Sequence, residues 1–257
     1  MNKSSITDRL KNLPTRNKPH IFFMHIPKTG GNSTIHALRK RYPFNFFLVN
    51  AGDSLRAAKR KHGDNYKNFE QCYDLRESIT VYAMEAGFKC IAGHVPYSRK
   101  IFDHSENKHL LMTILRDPVQ RFISKYLYNV HKSGDHCSFE MPFLEYLNSG
   151  IGRESACEYL RYLSDGYKPG EEPSKQMIEK SKENILRFDI IGFLDDMDQF
   201  TLDFQQKTNI KLRIPHKNRT RDLLTEKQTF DPEIIEQIKE VCKHDIEIYQ
   251  FARQHSQ

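Results

Sequence analysis

The sequence predicts an α/β fold, a single domain with a central parallel β-sheet flanked by helices. Short apolar runs of strand length alternate along the chain with longer segments whose apolar residues recur at helical spacing. The first run leads into a glycine turn and then a helix, as in parallel sheets whose strands end at ligand-binding loops. The chain has 257 residues, of which 38% are hydrophobic, enough for one full core. We therefore expect residues 1–18 to form a flexible N-terminal lead-in and residues 19–257 to form the domain.

The first half of the chain begins with the apolar run 21–24. This run predicts a buried strand, because parallel strands covered on both faces have continuous apolar sequence. After the glycine turn, residues 32–41 carry apolar side chains on one side and predict a helix. Run 46–49 predicts the second strand, and the charged segment 50–75 is expected to be irregular. Run 89–95 predicts the third strand.

The second half begins with the apolar run 109–115, which predicts a strand leading directly into a helix. Asp117 is a good N-cap, and Pro118 suits the first helical position. The apolar residues that follow recur at helical spacing, so this helix has a core face. Residues 137–187 are expected to be rich in helix. Three later elements, a strand and two helices, are predicted at 188–193, at 197–206 and from 231 onwards.

Composition and charge exclude several classes of protein. No apolar run approaches the roughly 18 to 20 residues of a membrane-spanning helix, and the charged first twenty residues lack the apolar stretch of a signal peptide. Five scattered cysteines without a C-x-x-C pair favour reduced thiols in the cytoplasm. The net charge of +7 suits an anionic substrate, but no basic run or motif indicates a nucleic-acid partner. The oligomeric state is left open.

The strongest local signal is the loop after the first strand, His25-Ile26-Pro27-Lys28-Thr29-Gly30-Gly31-Asn32-Ser33-Thr34. Glycines let the backbone close on a phosphate, and free N–H groups and the helix dipole converge at a helix N-terminus. Lys28, Ser33 and Thr34 add a charge and hydroxyl donors. The lysine precedes the glycines and the Walker A pattern is absent from the chain, so the loop is P-loop-like without being the loop of a P-loop kinase. An ordinary turn between strand and helix is the alternative.

A second segment continues the strand at 109–115, and reads Arg116-Asp117-Pro118-Val119-Gln120-Arg121-Phe122-Ile123-Ser124. An arginine at a strand end can bind a phosphate through its planar fork of donors. A surface ion pair between Arg116 and Asp117 is the alternative. Together with the lysine-glycine loop, this segment resembles the donor-binding motifs of sulfotransferases that use 3′-phosphoadenosine 5′-phosphosulfate (PAPS), in particular the polysaccharide family that sulfates heparan sulfate at 2-O and 6-O positions.

The resemblance implies transfer of a sulfuryl group from PAPS to a hydroxyl acceptor, expected to be a carbohydrate, by in-line displacement without a metal. Adenosine 3′,5′-bisphosphate is the expected product. In the family, the loop binds the 5′-phosphosulfate, and the arginine and serine of the second segment bind the 3′-phosphate. The donor-binding residues implied in this chain are Lys28, Thr29, Gly30, Gly31, Asn32, Ser33, Thr34, Arg116 and Ser124. An ATP-using kinase on a similar sheet and a non-catalytic nucleotide-binding module are the alternatives.

Two departures from the family concern the setting of the enzyme. The sequence predicts no membrane anchor, and Asn32 stands where a threonine is more usual. Both features favour a cytoplasmic bacterial enzyme over a Golgi enzyme.

The candidate for the catalytic base is His94, in the segment Cys90-Ile91-Ala92-Gly93-His94-Val95-Pro96-Tyr97. A histidine that ends a strand of the sheet lies at the carboxyl edge, where α/β proteins bind ligands. In the related polysaccharide sulfotransferases, a histidine in a similar Gly-His context deprotonates the acceptor. By this resemblance His94 and Lys28 are the catalytic residues. His25 is the rival base, although burial beneath the loop is the expectation for it, and a structural role is the alternative for His94.

Two further segments carry weaker signals. His131, Asp135, His136 and Cys137 form a metal-like cluster, but its polar surroundings favour a solvated loop over a zinc site. The basic segment 216–221 occupies the place where the family has a loop that closes over the nucleotide. A closing loop and a solvent-facing charged loop are both left open for it.

Overall fold

The computed structural model describes residues 18–66, 69–103, 108–131, 140–168, 170–215 and 230–256. Its strands are His20–Met24 (β1), Phe46–Val49 (β2), Cys90–Gly93 (β3), His109–Leu115 (β4) and Ile190–Phe193 (β5). All neighbouring strands pair in parallel, in the order β2-β3-β1-β4-β5. The predicted fold class, an α/β domain with a central parallel sheet, is therefore confirmed.

Helices connect the strands and cover the sheet. In the described part of the chain they are Gly31–Arg41 (α1), Ala51–His62 (α2), Phe69–Glu85 (α3), Arg99–Phe102 (α4), Pro118–Val130 (α5), Phe143–Asn148 (α6), Gly150–Ala156 (α7), Glu158–Leu163 (α8), Lys175–Ile185 (α9), Met197–Thr208 (α10), Pro232–Val241 (α11) and Lys243–His255 (α12). None of these helices has the length and apolar character needed to cross a membrane.

Strand β1 forms the centre of the core. Phe22 and Met24 pack into one large apolar cluster, whereas Ile21 and Phe23 pack into a second one. All four side chains are fully buried. Because successive residues of a strand point to opposite faces, the two clusters lie on opposite sides of the sheet. This double burial is the reason that β1 reads as an uninterrupted apolar run.

The expectation that residues 50–75 are irregular is wrong, because this segment contains α2 and the first part of α3. The Asn50 side chain accepts hydrogen bonds from the N–H groups of Gly52 and Asp53 and so caps α2. Leu55 and Ala58 face inward, and charged residues cover the outer side of α2. The charged residues therefore form the solvated faces of helices whose buried stripe is narrow.

The predictions for the later elements need smaller corrections. The single helix expected from 231 is two helices, α11 and α12, with Cys242 between them. Strand β3 ends at Gly93 instead of residue 95, so His94 lies just beyond it. The four cysteines within the described ranges, Cys72, Cys90, Cys157 and Cys242, are free and buried.

The sheet topology brings the three predicted motifs together. Strand β1 pairs with β3 on one side and with β4 on the other, and Met24 is in register with both Gly93 and Thr113. The glycine loop follows β1, His94 follows β3 and Arg116 follows β4. Since the three parallel strands are adjacent, their carboxyl ends form one edge of the sheet. Ligands of open α/β sheets bind at such an edge, where the connections from neighbouring strands run to opposite faces of the sheet.

Candidate active site

The loop after β1 ends in an uncapped helix N-terminus. Gly30 occupies the N-cap position of α1 with a left-handed φ of 83°, and no side chain in the described part of the chain caps the helix. Five of the other described helices do have side-chain caps, from Asn50, Asp117, Ser149, Ser174 and Asp196. The first turn of α1 also lacks acidic residues. Its N–H groups and the positive end of its dipole are therefore available to an anion.

The hydroxyl groups of the loop divide into two kinds. Thr34 is fully buried, and its Oγ1 has no hydrogen-bond partner among the residues that the structure describes. A buried hydroxyl of this kind is costly unless a ligand or water satisfies it, so it fits an oxygen-rich group bound in the loop. Thr29 Oγ1 instead donates to the Ile26 carbonyl at 2.9 Å and closes the turn, which leaves the Thr29 backbone for ligand contact. Ser33 is partly buried and Asn32 is exposed.

Lys28 combines a strained backbone with an ammonium group that lies near other cations. Its φ of 71° is left-handed, a conformation that costs a residue with a side chain roughly 1–3 kcal/mol and that clusters at functional sites. The ammonium lies 3.9 Å from the centroid of the Tyr128 ring. Burial, together with the nearby cations Lys125 and Arg116, lowers the pKa of Lys28 to about 8. An anion bound beside it would relieve the repulsion between these cations.

Arg116 joins the second motif to the loop. Its Nη1 donates to the Lys28 carbonyl at 3.3 Å, and burial is the main cause that lowers its pKa. Asp117, the partner in the alternative ion pair, instead accepts the Gln120 N–H at 2.9 Å as the N-cap of α5. Ser124 lies further along α5, which is buried on nearly all sides, and is itself only 3% exposed. The structure thus brings Arg116 against the loop and places Ser124 on the helix that follows it.

The tautomer of His94 follows from the hydrogen bond between its ring and the backbone of His25. His94 Nδ1 lies 2.5 Å from the His25 carbonyl oxygen. A carbonyl can only accept, so Nδ1 carries the proton and Nε2 keeps the free lone pair. Burial lowers the pKa of His94 to about 4, which keeps the imidazole neutral near pH 7. A neutral imidazole with a free Nε2 can accept a proton from an acceptor hydroxyl.

His25, the rival base, lies buried beneath the loop. Its ring stacks on the ring of His94 with centroids 4.3 Å apart, and it also lies close to Gly31. A Cβ at position 31 would collide with the His25 ring, so this close approach requires glycine. Burial holds the pKa of His25 well below its ordinary value. The His25 ring therefore supports the loop, and its backbone carbonyl orients His94.

One contact at the site was not foreseen from the sequence. Arg76 on α3 is buried, and its Nη1 donates to the His94 carbonyl at 2.9 Å. Its Nε donates to Ser54 Oγ at 2.8 Å. Arg76 thus fixes the chain where it leaves β3. No motif or periodicity indicated a role for this position, because a single arginine in a charged stretch carries no signal that distinguishes it.

Parts of the sequence interpretation fall outside the described residues. These are the lead-in up to residue 17, Asp135, His136 and Cys137 of the metal-like cluster, and the basic segment 216–221. Within the described ranges, no group of three or more His, Cys, Asp or Glu side chains is arranged to hold a metal ion.

Comparison with known protein families gives a match that covers almost the whole chain. The sulfotransferase family profile aligns with residues 11–252, which include the loop, His94, Arg116 and Ser124. Comparison with curated proteins finds no match.

Proposed function

Because the chain belongs to the sulfotransferase family, and so is an enzyme that transfers sulfuryl groups to hydroxyl acceptors, we propose that its donor is PAPS and its acceptor a carbohydrate. The assignment of PAPS as the donor is supported by the contact between Arg116 Nη1 and the Lys28 carbonyl. PAPS is anionic at both its 5′ and its 3′ side, and it needs two cationic sites close together. The proposal that the acceptor is a carbohydrate rests on the resemblance to polysaccharide sulfotransferases.

The donor residues divide between the two ends of the nucleotide. The N–H groups of residues 31–34, the Thr34 hydroxyl and the Lys28 ammonium would hold the 5′-phosphosulfate at the N-terminus of α1. Thr29 and Gly30 shape the turn that presents these groups. Arg116 and Ser124 would hold the 3′-phosphate. No metal takes part in this proposal.

The transfer is an in-line displacement at sulfur. The acceptor oxygen forms a bond to sulfur while the bond from sulfur to the bridging phosphate oxygen breaks, and adenosine 3′,5′-bisphosphate leaves. His94 Nε2 takes the proton of the acceptor hydroxyl. Lys28 and the N–H groups of α1 stabilise the negative charge that develops on the bridging oxygen.

Family membership decides against the two alternatives considered from the sequence. A kinase would transfer a phosphoryl group, and a nucleotide-binding module would not turn over any acceptor. A sulfotransferase assignment over residues 11–252 fits neither of them.

The role of Arg116 can be tested by nucleotide binding alone. We expect the wild type to bind adenosine 3′,5′-bisphosphate more tightly than adenosine 5′-monophosphate, which lacks the 3′-phosphate. The Arg116→Ala variant should lose about ten- to a hundredfold of this preference, since charge-assisted hydrogen bonds disappear. Calorimetric titration of both nucleotides measures the ratio of their Kd values. Arg60→Ala, at an exposed position of α2, is the matched control and should keep the wild-type ratio. Equal binding of the two nucleotides by the wild type would show that the second motif has been misread.

The pKa values of His94 and Lys28 predict the pH dependence of the reaction. His94 must be neutral to accept a proton, so activity should fall as the pH drops through about 4. Lys28 must be charged to stabilise the leaving group, so activity should fall as the pH rises through about 8. The measurement is kcat/KM for PAPS, which reports the ionisations of the free enzyme. An acidic limb near 6.5, the ordinary pKa of histidine, would contradict the lowered pKa of the partly buried His94.

A further inference from the structure

Arg116 is held from a second direction, by a buried tyrosine 43 residues further along the chain. Arg116 lies just beyond the end of β4, where the sheet no longer fixes its backbone. The Tyr159 hydroxyl accepts the Arg116 N–H at 2.7 Å and donates to the Arg116 carbonyl. One phenol therefore spans both backbone groups of the same residue. Burial raises the pKa of Tyr159, so the hydroxyl keeps the proton that this donation needs.

Tyr159 is in turn fixed by the carboxyl group of an aspartate on α12. Asp245 on α12 is fully buried, and its two oxygens accept the N–H groups of Tyr159 at 2.9 Å and of Leu160 at 3.2 Å. Both N–H groups belong to the first turn of α8, whose N-cap residue, Cys157, provides no side-chain cap. Asp245 therefore acts as the cap of α8 from another part of the chain.

We propose that Tyr159 is a positioning residue for the donor site: its hydroxyl sets the backbone of Arg116 and so aims the guanidinium at the 3′-phosphate, while Asp245 fixes Tyr159. The inference rests on the proposed function, in which Arg116 binds that phosphate. The order of contacts runs from Asp245 through the first turn of α8 and the Tyr159 hydroxyl to Arg116, and from Arg116 Nη1 to the Lys28 carbonyl. The Tyr159 hydroxyl therefore helps to position both groups proposed to bind the donor, Arg116 directly and Lys28 through Arg116.

The Tyr159→Phe variant tests the proposal, because it removes only the hydroxyl. Calorimetric titration with adenosine 3′,5′-bisphosphate and with adenosine 5′-monophosphate gives the preference for the 3′-phosphate. We expect this preference to fall about tenfold, since a loosened Arg116 meets the phosphate less well. Binding of the monophosphate should change little. A purely structural tyrosine would lower the melting temperature, or weaken both nucleotides equally, without changing their ratio.

A second buried tyrosine supplies the matched control. Tyr42, at the end of α1 away from the loop, is fully buried and donates its hydroxyl to the Pro19 carbonyl at 3.0 Å. Tyr42→Phe should keep the wild-type ratio at the same temperature. Asp245→Asn provides an independent variant should Tyr159→Phe fold poorly, because its amide can accept only one of the two N–H groups. It should lower the preference by a smaller factor than Tyr159→Phe.

The outcomes separate this inference from the function on which it rests. A wild-type ratio in both Tyr159→Phe and Asp245→Asn, combined with a lost ratio in Arg116→Ala, would overturn the positioning role and leave the donor site intact. An unchanged ratio in Arg116→Ala would instead overturn the assignment of the 3′-phosphate to Arg116. A reduced ratio in Tyr159→Phe and in Arg116→Ala, with Tyr42→Phe unchanged, would support both.

Discussion

The Lys28→Ala variant is expected to reduce kcat by about two to three orders of magnitude, as the loss of a charge partner in the transition state does. Affinity for adenosine 3′,5′-bisphosphate should suffer less than kcat, because the α1 N-terminus and Arg116 still bind the two phosphates. The charge that Lys28 stabilises develops only as the bond to sulfur breaks. Single-turnover transfer from PAPS and calorimetric binding of the product nucleotide measure the two effects separately.

The strained backbone of Lys28 sharpens this test. Its φ of 71° is readily adopted by glycine, so Lys28→Gly should fold with a free energy of unfolding close to that of the wild type and still be as inactive as Lys28→Ala. Lys40→Ala, at an exposed position in the last turn of α1, removes a lysine without touching the loop and should keep full activity. Near-normal kcat in Lys28→Ala would remove Lys28 from the proposed mechanism.

The structure of the loop after β1 could be predicted from the sequence because its elements are neighbours in the chain. A strand, two glycines and a helix start are contiguous, and the apolar run of β4 is fixed by its own burial, so the predicted and observed bounds of that strand agree at His109–Leu115. Arg116 and His94 each follow a strand, so the order of the sheet alone brings them to the loop.

The supporting contacts could not be predicted, because they join distant parts of the chain. Arg116 meets Tyr159 across 43 residues, and Tyr159 meets Asp245 across 86. No periodicity or motif in one segment indicates such a partner in another. The role of Arg76 could not be predicted for a second reason. The charged residues around it mask the narrow buried stripe of α3 in the sequence pattern.

The two stacked histidines contribute different groups to the site, His25 its backbone carbonyl and a supporting ring, and His94 its imidazole. His25 contributes its carbonyl, which selects the His94 tautomer, and a ring that fills the space below Gly31. His94 contributes the free Nε2. Burial depresses the pKa of both rings, so neither adds a charge to a region that already holds Lys28 and Arg116. Near neutral pH both rings are therefore neutral, and in the proposed mechanism Lys28 and Arg116 supply the charge for the donor while His94 is the neutral base.

The His94→Ala variant is expected to bind adenosine 3′,5′-bisphosphate with near wild-type affinity yet to lose about two to four orders of magnitude in transfer, the usual contribution of a general base. The two effects separate because His94 acts on the acceptor, whereas the loop acts on the donor. His94→Asn refines the test. Its amide N–H can replace Nδ1 as donor to the His25 carbonyl, so it preserves the local structure while removing the lone pair of Nε2. Both variants should also lose the acidic limb of the pH–rate profile.

The His25→Ala variant decides between the two histidines. His25 is buried under the loop, so its loss should weaken binding of adenosine 3′,5′-bisphosphate, whereas loss of His94 should not. Calorimetry on both variants therefore distinguishes damage to the donor site from loss of the base, and transfer to an acceptor found by screening measures the chemistry. If His94→Ala kept most of its activity while His25→Ala bound the nucleotide normally but failed to transfer sulfate, the base would be His25, and the Nε2 of His94 would have no part in the reaction.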